Sequence, residues 1–392
     1  MEEEVLSNMK KCKKCLLPET YETIEFEGES CNICSSNTDL KEKIDWKQRE
    51  QDLHDLIKKF KGKYDYDCIV PYSGGKDSTF QLYHVVKILK LKPLVIRFNH
   101  GFLRNVIKNN TEKTLKKLGV DFIEFTPNWK IVKKLMLESF VRKTDFCWHC
   151  HTGIYSYPTR LAIKLNIPLI IWGEPTAEFN AYYDYDEMEI ENEEKFDRVH
   201  NLGISADDMF GMINSKEDPI DKRDLIPYTY PSRKEYLEKN ITSIELGNYI
   251  KWDYHKQFQI INKELGWETD ELEGVPAEAH EYGSKIECFM QGTRDYVKFL
   301  KRGYGRISQN MAYEIRNKNI DPEKAKKLIK EEGKKPHSLE VFLDYVGLSE
   351  EEFKEIISNQ VIPPHKPNFD SNLFSKKTND YETWFKENNK KK

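Results

Sequence analysis

Apolar residues along this chain switch period repeatedly, and each switch predicts an element. Leu53, Leu56, Ile57 and Phe60 recur at helical spacing, which predicts a helix over about residues 45–60. Residues 64–72 are instead β-prone and end directly in Ser73-Gly74-Gly75-Lys76-Asp77-Ser78. Helical spacing returns with Phe80, Leu82, Tyr83, Val86 and Leu89. Residues 92–98 then read as a second strand, 110–118 as a helix and 121–125 as a third strand. Helices around 130–141 and 157–165 lead to a fourth apolar run, 167–172, followed by Gly173 and Glu174. Strands alternating with helices in this way predict an α/β fold with a parallel, doubly wound sheet, whose ligands bind at the carboxyl ends of the strands.

On either side of this stretch the pattern changes. Cys12, Cys15, Cys31 and Cys34 form C-x2-C-x15-C-x2-C. Tyr21, Ile24 and Phe26 between the pairs suit a hairpin that returns the chain, so four thiolates can surround one ion, as in a zinc ribbon. Four thiolates leave no open position for chemistry, which makes such a zinc structural. Two disulfides are the alternative, disfavoured in a reducing compartment. Residues 183–194 carry seven acidic side chains in twelve positions, which predicts a solvated loop. Beyond Pro231 the chain reads as mainly helical. Ser232 with Glu235 and Ser349 with Glu352 are capping boxes, and Asp321-Pro322 supplies an N-cap followed by proline at the first helical position. The resulting division is a zinc ribbon at 1–44, a helical linker at 45–62, an α/β domain at 63–230, a helical substrate or partner domain at 231–385 and a frayed tail at 386–392.

Composition narrows the class. With 392 residues, 38% hydrophobic and 12% aromatic, the chain can bury more than one core. No apolar run approaches the ~18 residues of a membrane span, and the first residues lack the features of a secretory leader, so a cytoplasmic, membrane-free protein is expected. Lys plus Arg number 62 against 66 for Asp plus Glu, a net charge of −4. That balance argues against nucleic acid as a partner.

The six residues Ser73 to Ser78 carry the chemistry. Between a strand and a helix, glycines let consecutive N–H groups approach a phosphate closely, and the helix adds the positive end of its dipole. Hydroxyls of Ser73, Ser78 and Thr79 add donors, and Lys76 neutralises charge. A Walker loop is absent, because Asp77 follows Gly75-Lys76 where that motif requires Lys-Ser or Lys-Thr. An ordinary glycine turn is the plain alternative.

This loop resembles the signature of the PP-loop, or N-type ATP pyrophosphatase, superfamily, whose HUP-like fold is the one expected here. The chain is similar more closely to the N-acetyl sugar amidotransferases of surface-polysaccharide biosynthesis, of the Wbp, Pse and Leg type. That similarity rests on the cysteine pairs, the loop, Phe98-Asn99-His100-Gly101-Phe102, Cys147-Trp148-His149-Cys150-His151-Thr152-Gly153, Trp172-Gly173-Glu174-Pro175 and Lys301-Arg302-Gly303-Tyr304-Gly305-Arg306. The resemblance implies that ATP activates the oxygen of an N-acetyl group on a nucleotide-linked sugar and that ammonia then expels AMP, giving an acetamidino group. It implies Ser73, Gly74, Gly75, Lys76, Asp77 and Ser78 at the pyrophosphate, with Asp77 as the contact to Mg2+, and Arg97 and Asn99 beside adenine or ribose. Glu174 would bind Mg2+ or order ammonia, with a helix-capping role as the alternative. His100 is either an acid–base group or a polar lining residue. Lys301, Arg302, Tyr304 and Arg306 would clamp the phosphate of the substrate and stack its base, or form a solvated basic turn. No glutaminase nucleophile is evident, so a separate glutaminase subunit is expected to supply ammonia.

Two further function classes stay open. A tRNA sulfur transferase would use the same adenylation, and Cys147, Cys150 and the distant Cys288 would then hold an iron–sulfur cluster. The same three thiols also fit a second zinc site or plain reduced cysteines. A zinc-ribbon adaptor that senses nucleotide without turnover is the non-enzymatic reading.

Overall fold

In the computed structural model, residues 9–176, 193–378 and 380–381 are described; most of the expected acidic loop and the whole expected tail lie outside them. The chain divides into two compact units. One contains residues 9–44 and 269–381, the other Asp45–Pro175 and residues 193–268.

The first unit opens with the cysteine ribbon. Strands β1 (Phe26–Glu27) and β2 (Ser30–Cys31) pair antiparallel, as a hairpin between the cysteine pairs requires, and α1 (Asn32–Lys41) follows.

The second unit begins with α2 (Trp46–Ile57), whose N-cap Asp45 accepts a hydrogen bond from the Gln48 amide at 3.0 Å. Strand β3 (Cys68–Pro71) runs into the loop and α3 (Lys76–Tyr83); β4 (Pro93–Phe98), α4 (Asn105–Leu118) and β5 (Asp121–Phe125) follow. Next come α5 (Trp129–Lys143), α6 (Trp148–Leu165), β6 (Leu169–Trp172), α7 (Ala206–Ile213), β7 (Thr242–Glu245) and α8 (Tyr254–Leu265). The five strands β5-β4-β3-β6-β7 form one parallel sheet. From β3 the order runs outward through β4 and β5 on one side and through β6 and β7 on the other. That reversal opens a crevice beyond the carboxyl ends of β3 and β6. These two strands are paired at Ile69 and Ile170, so the segments leaving them start close together. The central strands β4 and β6 are buried along their whole length, as covered parallel strands should be, whereas β5 at the edge is largely exposed. Ile69, Leu94, Ile96, Ile170 and Trp172 form one core cluster with Ala162 and Ile167.

The four predicted strands are present, three of them within two residues of their expected bounds; the first is shorter than the expected 64–72, starting at Cys68. Two expectations change. Strand β7 and helix α8 lie beyond the expected boundary at 230 and belong to the α/β unit. Thr-Ser-Ile-Glu offers no apolar run, so a strand legible only by its pairing to β6 was invisible behind a strong helical capping box at Ser232. Helix α6 starts at Trp148 rather than near 157, absorbing Cys147 as its N-cap and continuing through Pro158.

The first unit is completed by α9 (Gln291–Arg302), α10 (Arg306–Arg316), α11 (Pro322–Ile329), α12 (Ser338–Val346) and α13 (Glu350–Ser358). The capping box at Ser349 and the Asp321-Pro322 start are formed as predicted. The ribbon belongs compactly with these helices: Tyr304 and Ala312 share a buried cluster with the four cysteines, Leu17 and Tyr21. Glu332 caps the amino terminus of α10, accepting from the Gly305 amide at 3.0 Å, the Ser308 amide at 2.7 Å and the Ser308 hydroxyl at 2.5 Å. Burial nevertheless pushes its carboxyl up from 4.5 to about 7, against the lowering effect of those bonds. A pKa raised in the folded state gives stability that is complete below pH 4.5 and lost as pH rises through about 7. The wild-type advantage over Glu332→Gln, measured as the difference in melting temperature, should therefore shrink between pH 4.5 and 7. A difference that stays constant across that range would contradict the assignment.

Candidate functional site

The loop leaving β3 is a turn that only glycine completes cleanly. Gly74 has φ +88°, and a Cβ there would lie 2.7 Å from Ile107 Cγ2, 2.9 Å from Thr111 Oγ1 and 3.1 Å from Arg97 Nη2. Ser78 Oγ accepts from the amides of Ser73 at 3.2 Å and Gly74 at 3.1 Å, while Ser73 Oγ accepts from the Gly75 amide at 3.2 Å. Gly75 is the N-cap of α3 and, lacking a side chain, makes no side-chain capping bond. Trp267, fully buried, donates Nε1–H to the Gly74 carbonyl at 3.0 Å. The loop is thus fixed by its own hydroxyls and by Trp267.

Lys76 carries the concentrated charge of the site. Its side chain is 1% exposed, ion-paired to Asp77 Oδ1, and its Nζ lies 3.8 Å from the centre of the Tyr254 ring and 3.5 Å from Gln257 Oε1. Asp77 remains partly exposed. Glu174, two residues past β6, accepts a hydrogen bond from the Tyr254 hydroxyl. Asp77, Lys76 and Glu174 are therefore brought together through Tyr254. Neither Tyr254 nor Gln257 was among the expected site residues. The signal that could have found them is their three-residue spacing on one face of α8, but nothing in the sequence ties that face to the loop.

Arg97 is buried at the end of β4, bonded through Nη1 to Glu124 at 3.0 Å and through Nη2 to the Thr111 hydroxyl. Its guanidinium stands where a Cβ at Gly74 would meet it. Asn99 holds the turn after β4, with Oδ1 accepting from the Gly101 amide at 2.9 Å and Nδ2 reaching Glu124 at 3.2 Å. His100 is buried; burial, with the charges of His149 and Arg97, pushes its pKa down to about 3. A base that weak at neutral pH favours the lining role over proton transfer. His149 follows the same course, to about 4, and its Nε2 lies 3.3 Å from the His100 carbonyl.

The four amino-terminal cysteines fit a single ion. All are buried and their sulfurs lie within 4.8 Å of one another. The Sγ–Sγ separations are 3.8 Å for Cys12–Cys34 and 3.7 Å for Cys15–Cys31, against about 3.8 Å for a tetrahedron with zinc–sulfur bonds of about 2.3 Å. The Cys31 amide donates to Cys12 Sγ at 3.3 Å, a bond that stabilises a thiolate. Among the described residues this is the only group of three or more such ligands, and Cys147, Cys150 and Cys288 do not join one. Cys147 and Cys150 lie in the first turn of α6; Cys288 belongs to the other unit.

In that unit, the basic segment at 301–306 faces internal partners. Arg302 donates to the Thr20 carbonyl at 2.7 Å and pairs with Glu22 at 3.2 Å; the buried Tyr304 hydroxyl donates to Glu22. Arg306 grips Asp295 with two bonds, at 3.1 and 3.3 Å. Burial alone would raise the Glu22 carboxyl, yet the charges of Lys298 and Arg302 hold it below its ordinary value. Arg302, Tyr304 and Glu22 hold the ribbon, and Arg306 is taken up by Asp295.

With this geometry established, three comparisons bear on the chain. Residues 280–390 match the family model of the "LPS biosynthesis protein WbpG-like, C-terminal domain". An uncharacterized protein of Methanocaldococcus jannaschii is 26% identical over 168 residues, covering 42% of this chain and 58% of that relative's length. The U34-tRNA thiolase NcsA from Methanococcus maripaludis, solved with its 4Fe-4S cluster, aligns over 82% of this chain and 88% of its own. Its TM-score of 0.29 at 12% identity is too low to carry an argument. The carboxyl-terminal part of this chain is WbpG-like in sequence.

The metal assignment has a direct check. A Cys31→Ser/Cys34→Ser variant should lose about one zinc per chain by elemental analysis and should melt at lower temperature, because metal binding and ribbon folding are coupled. Unchanged zinc content would overturn it.

Proposed function

We propose that this protein is an ATP-dependent amidotransferase of the PP-loop type that converts an N-acetyl group of a nucleotide-linked sugar to an acetamidino group, in the synthesis of a surface polysaccharide. The observation that supports it most is the Ser73–Ser78 loop at the sheet's switch point, with Lys76 and two carboxylates grouped beside it. The WbpG-like match over residues 280–390 supports the polysaccharide setting.

In this reading the acetamido oxygen attacks the α-phosphorus of ATP, its bond to that phosphorus forms, and pyrophosphate leaves. Ammonia then attacks the imidate carbon, AMP departs with the former carbonyl oxygen, and loss of a proton leaves the amidine. An amide oxygen is a poor leaving group until it carries a phosphate. The loop amides now bonded to the hydroxyls of Ser73 and Ser78 would turn to phosphate oxygens, which are stronger acceptors because they are charged. Lys76 would offset charge developing on pyrophosphate. Asp77 and Glu174 would hold Mg2+, which supplies Lewis-acid neutralisation of the leaving group; one or two protein carboxylates with phosphate oxygens are what that ion ordinarily takes. The ribbon zinc would be structural. Ammonia would come from a separate glutaminase subunit.

A tRNA sulfur transferase is the second reading, favoured only by the partly exposed Cys147 and Cys150 at the start of α6. One assay separates the two. The purified chain, given ATP, Mg2+ and ammonium, should release AMP and pyrophosphate with a UDP- or CMP-linked N-acetyl sugar and not with tRNA. Glutamine should replace ammonium only when a glutaminase is added. Asp77→Asn should lower turnover by about 100-fold or more while the fold persists. ADP and phosphate as products, or robust activity with glutamine alone, would overturn the reading.

A further inference from the structure

Helix α8 was not expected at the site, yet it supplies the contacts that hold the site's charges. Tyr254 in its first turn and Gln257 one turn later share a face, and both meet Lys76. Tyr254 does two separable things. Its ring accepts the Lys76 ammonium at 3.8 Å from the ring centre, a contact worth most where the ammonium is desolvated, as here. Its hydroxyl donates to Glu174, which stands on a different strand-end from the loop.

We infer that Tyr254 is a positioning residue that joins Lys76, on the β3 side of the crevice, to Glu174, on the β6 side, so that the two charged groups act on one bound nucleotide in a fixed relation. The inference rests on the ATP-dependent reading above and adds to it a residue outside every motif that suggested that reading. The physical reason is direct. A carboxylate on a short segment after a strand has two free side-chain torsions beyond its Cβ, and a phenol anchored at its other face removes that freedom. The same ring meets the ammonium while it is paired with Asp77, so Lys76 touches both at once. Gln257 completes the arrangement: its Oε1 faces Lys76, while its buried Nε2 has no partner among the described residues and offers a further donor beside the loop.

The two functions of Tyr254 predict two different losses. Tyr254→Phe keeps the ring beside Lys76 and removes the hydroxyl that bonds Glu174. Tyr254→Leu removes both. Calorimetry with Mg-ATP as the probe should give a dissociation constant for Tyr254→Phe within about twofold of wild type, and one about tenfold weaker for Tyr254→Leu. Pyrophosphate release at saturating acceptor should show Tyr254→Phe with kcat lower by about tenfold and KM for ATP unchanged within twofold. A residue that merely packs α8 would instead move the melting temperature and both kinetic constants together. Wild-type kcat in Tyr254→Phe, or wild-type Mg-ATP affinity in Tyr254→Leu, would overturn the inference while leaving the proposed reaction standing. A wild-type protein that binds no Mg-ATP would overturn both. One that binds Mg-ATP but releases no pyrophosphate with any nucleotide sugar would overturn the reaction alone, and the two dissociation constants would then decide the role of Tyr254.

Discussion

An ammonium group with 1% of its side chain exposed is the constraint around which the α/β unit is arranged. Removing such a charge from water costs several kcal/mol unless neighbouring groups compensate. Lys76 is compensated from three directions: by the Asp77 carboxylate, the face of Tyr254 and the amide oxygen of Gln257. Two of those three groups come from α8, almost two hundred residues along the chain. The burial of Lys76 therefore requires α8 to pack on α3, and that packing draws residues 242–268 into the sheet unit. Trp267 just past α8 then reaches the Gly74 carbonyl, so the same helix that balances the charge also fixes the turn.

The ribbon obeys a parallel logic in the other unit. Four sulfurs at tetrahedral spacing need a closed shell, and the hydrophobic residues between the cysteine pairs need cover that a forty-residue segment cannot provide for itself. Tyr304 and Ala312 provide it, and the rings of Tyr21 and Tyr304 meet at 5.0 Å. The charges of Lys298 and Arg302 beside it, with the Tyr304 hydroxyl, favour the ionised form of Glu22. A segment that the sequence presents as a basic substrate clamp is, for Arg302 and Tyr304, the seat of the ribbon.

What was legible in the sequence follows from where the information is stored. Strands β3, β4 and β6 are buried on both faces, so they appear as apolar runs, and the loop is legible because glycine and serine at fixed spacing have few other uses. The ribbon was legible for the same reason, since thiol spacing is dictated by one ion's geometry. Strand β7 was not, because four residues at a sheet edge need no apolar run when β6 supplies the hydrogen bonds. Tyr254 was not, because a tyrosine at the start of an amphipathic helix is ordinary until the ammonium it faces is known. Proline at 158 and the Cys147–Cys150 spacing, which left metal-bound and plain thiols both open, hid the first half of α6.

The histidines show how burial decides between chemistry and support. His100 lies at the carboxyl edge of the sheet, where catalytic groups gather in folds of this kind, and position alone would recommend it. Its surroundings do not. With its pKa near 3 it is neutral throughout the physiological range, and the Phe102 amide donates to its Nδ1 at 3.3 Å, holding the ring in the turn after β4. The adjacent His149 is equally desolvated and touches the His100 carbonyl, so the pair joins α6 to the end of β4 as uncharged packing with polar edges. Among the described residues, Lys76, Asp77 and Glu174 are charges grouped beside the loop, and a reaction that relies on such charges gains from electrostatic positioning rather than from proton relay. An adenylation followed by attack of ammonia makes that demand: its difficult moment is the departure of a multiply charged pyrophosphate, and ammonia arrives as its own nucleophile.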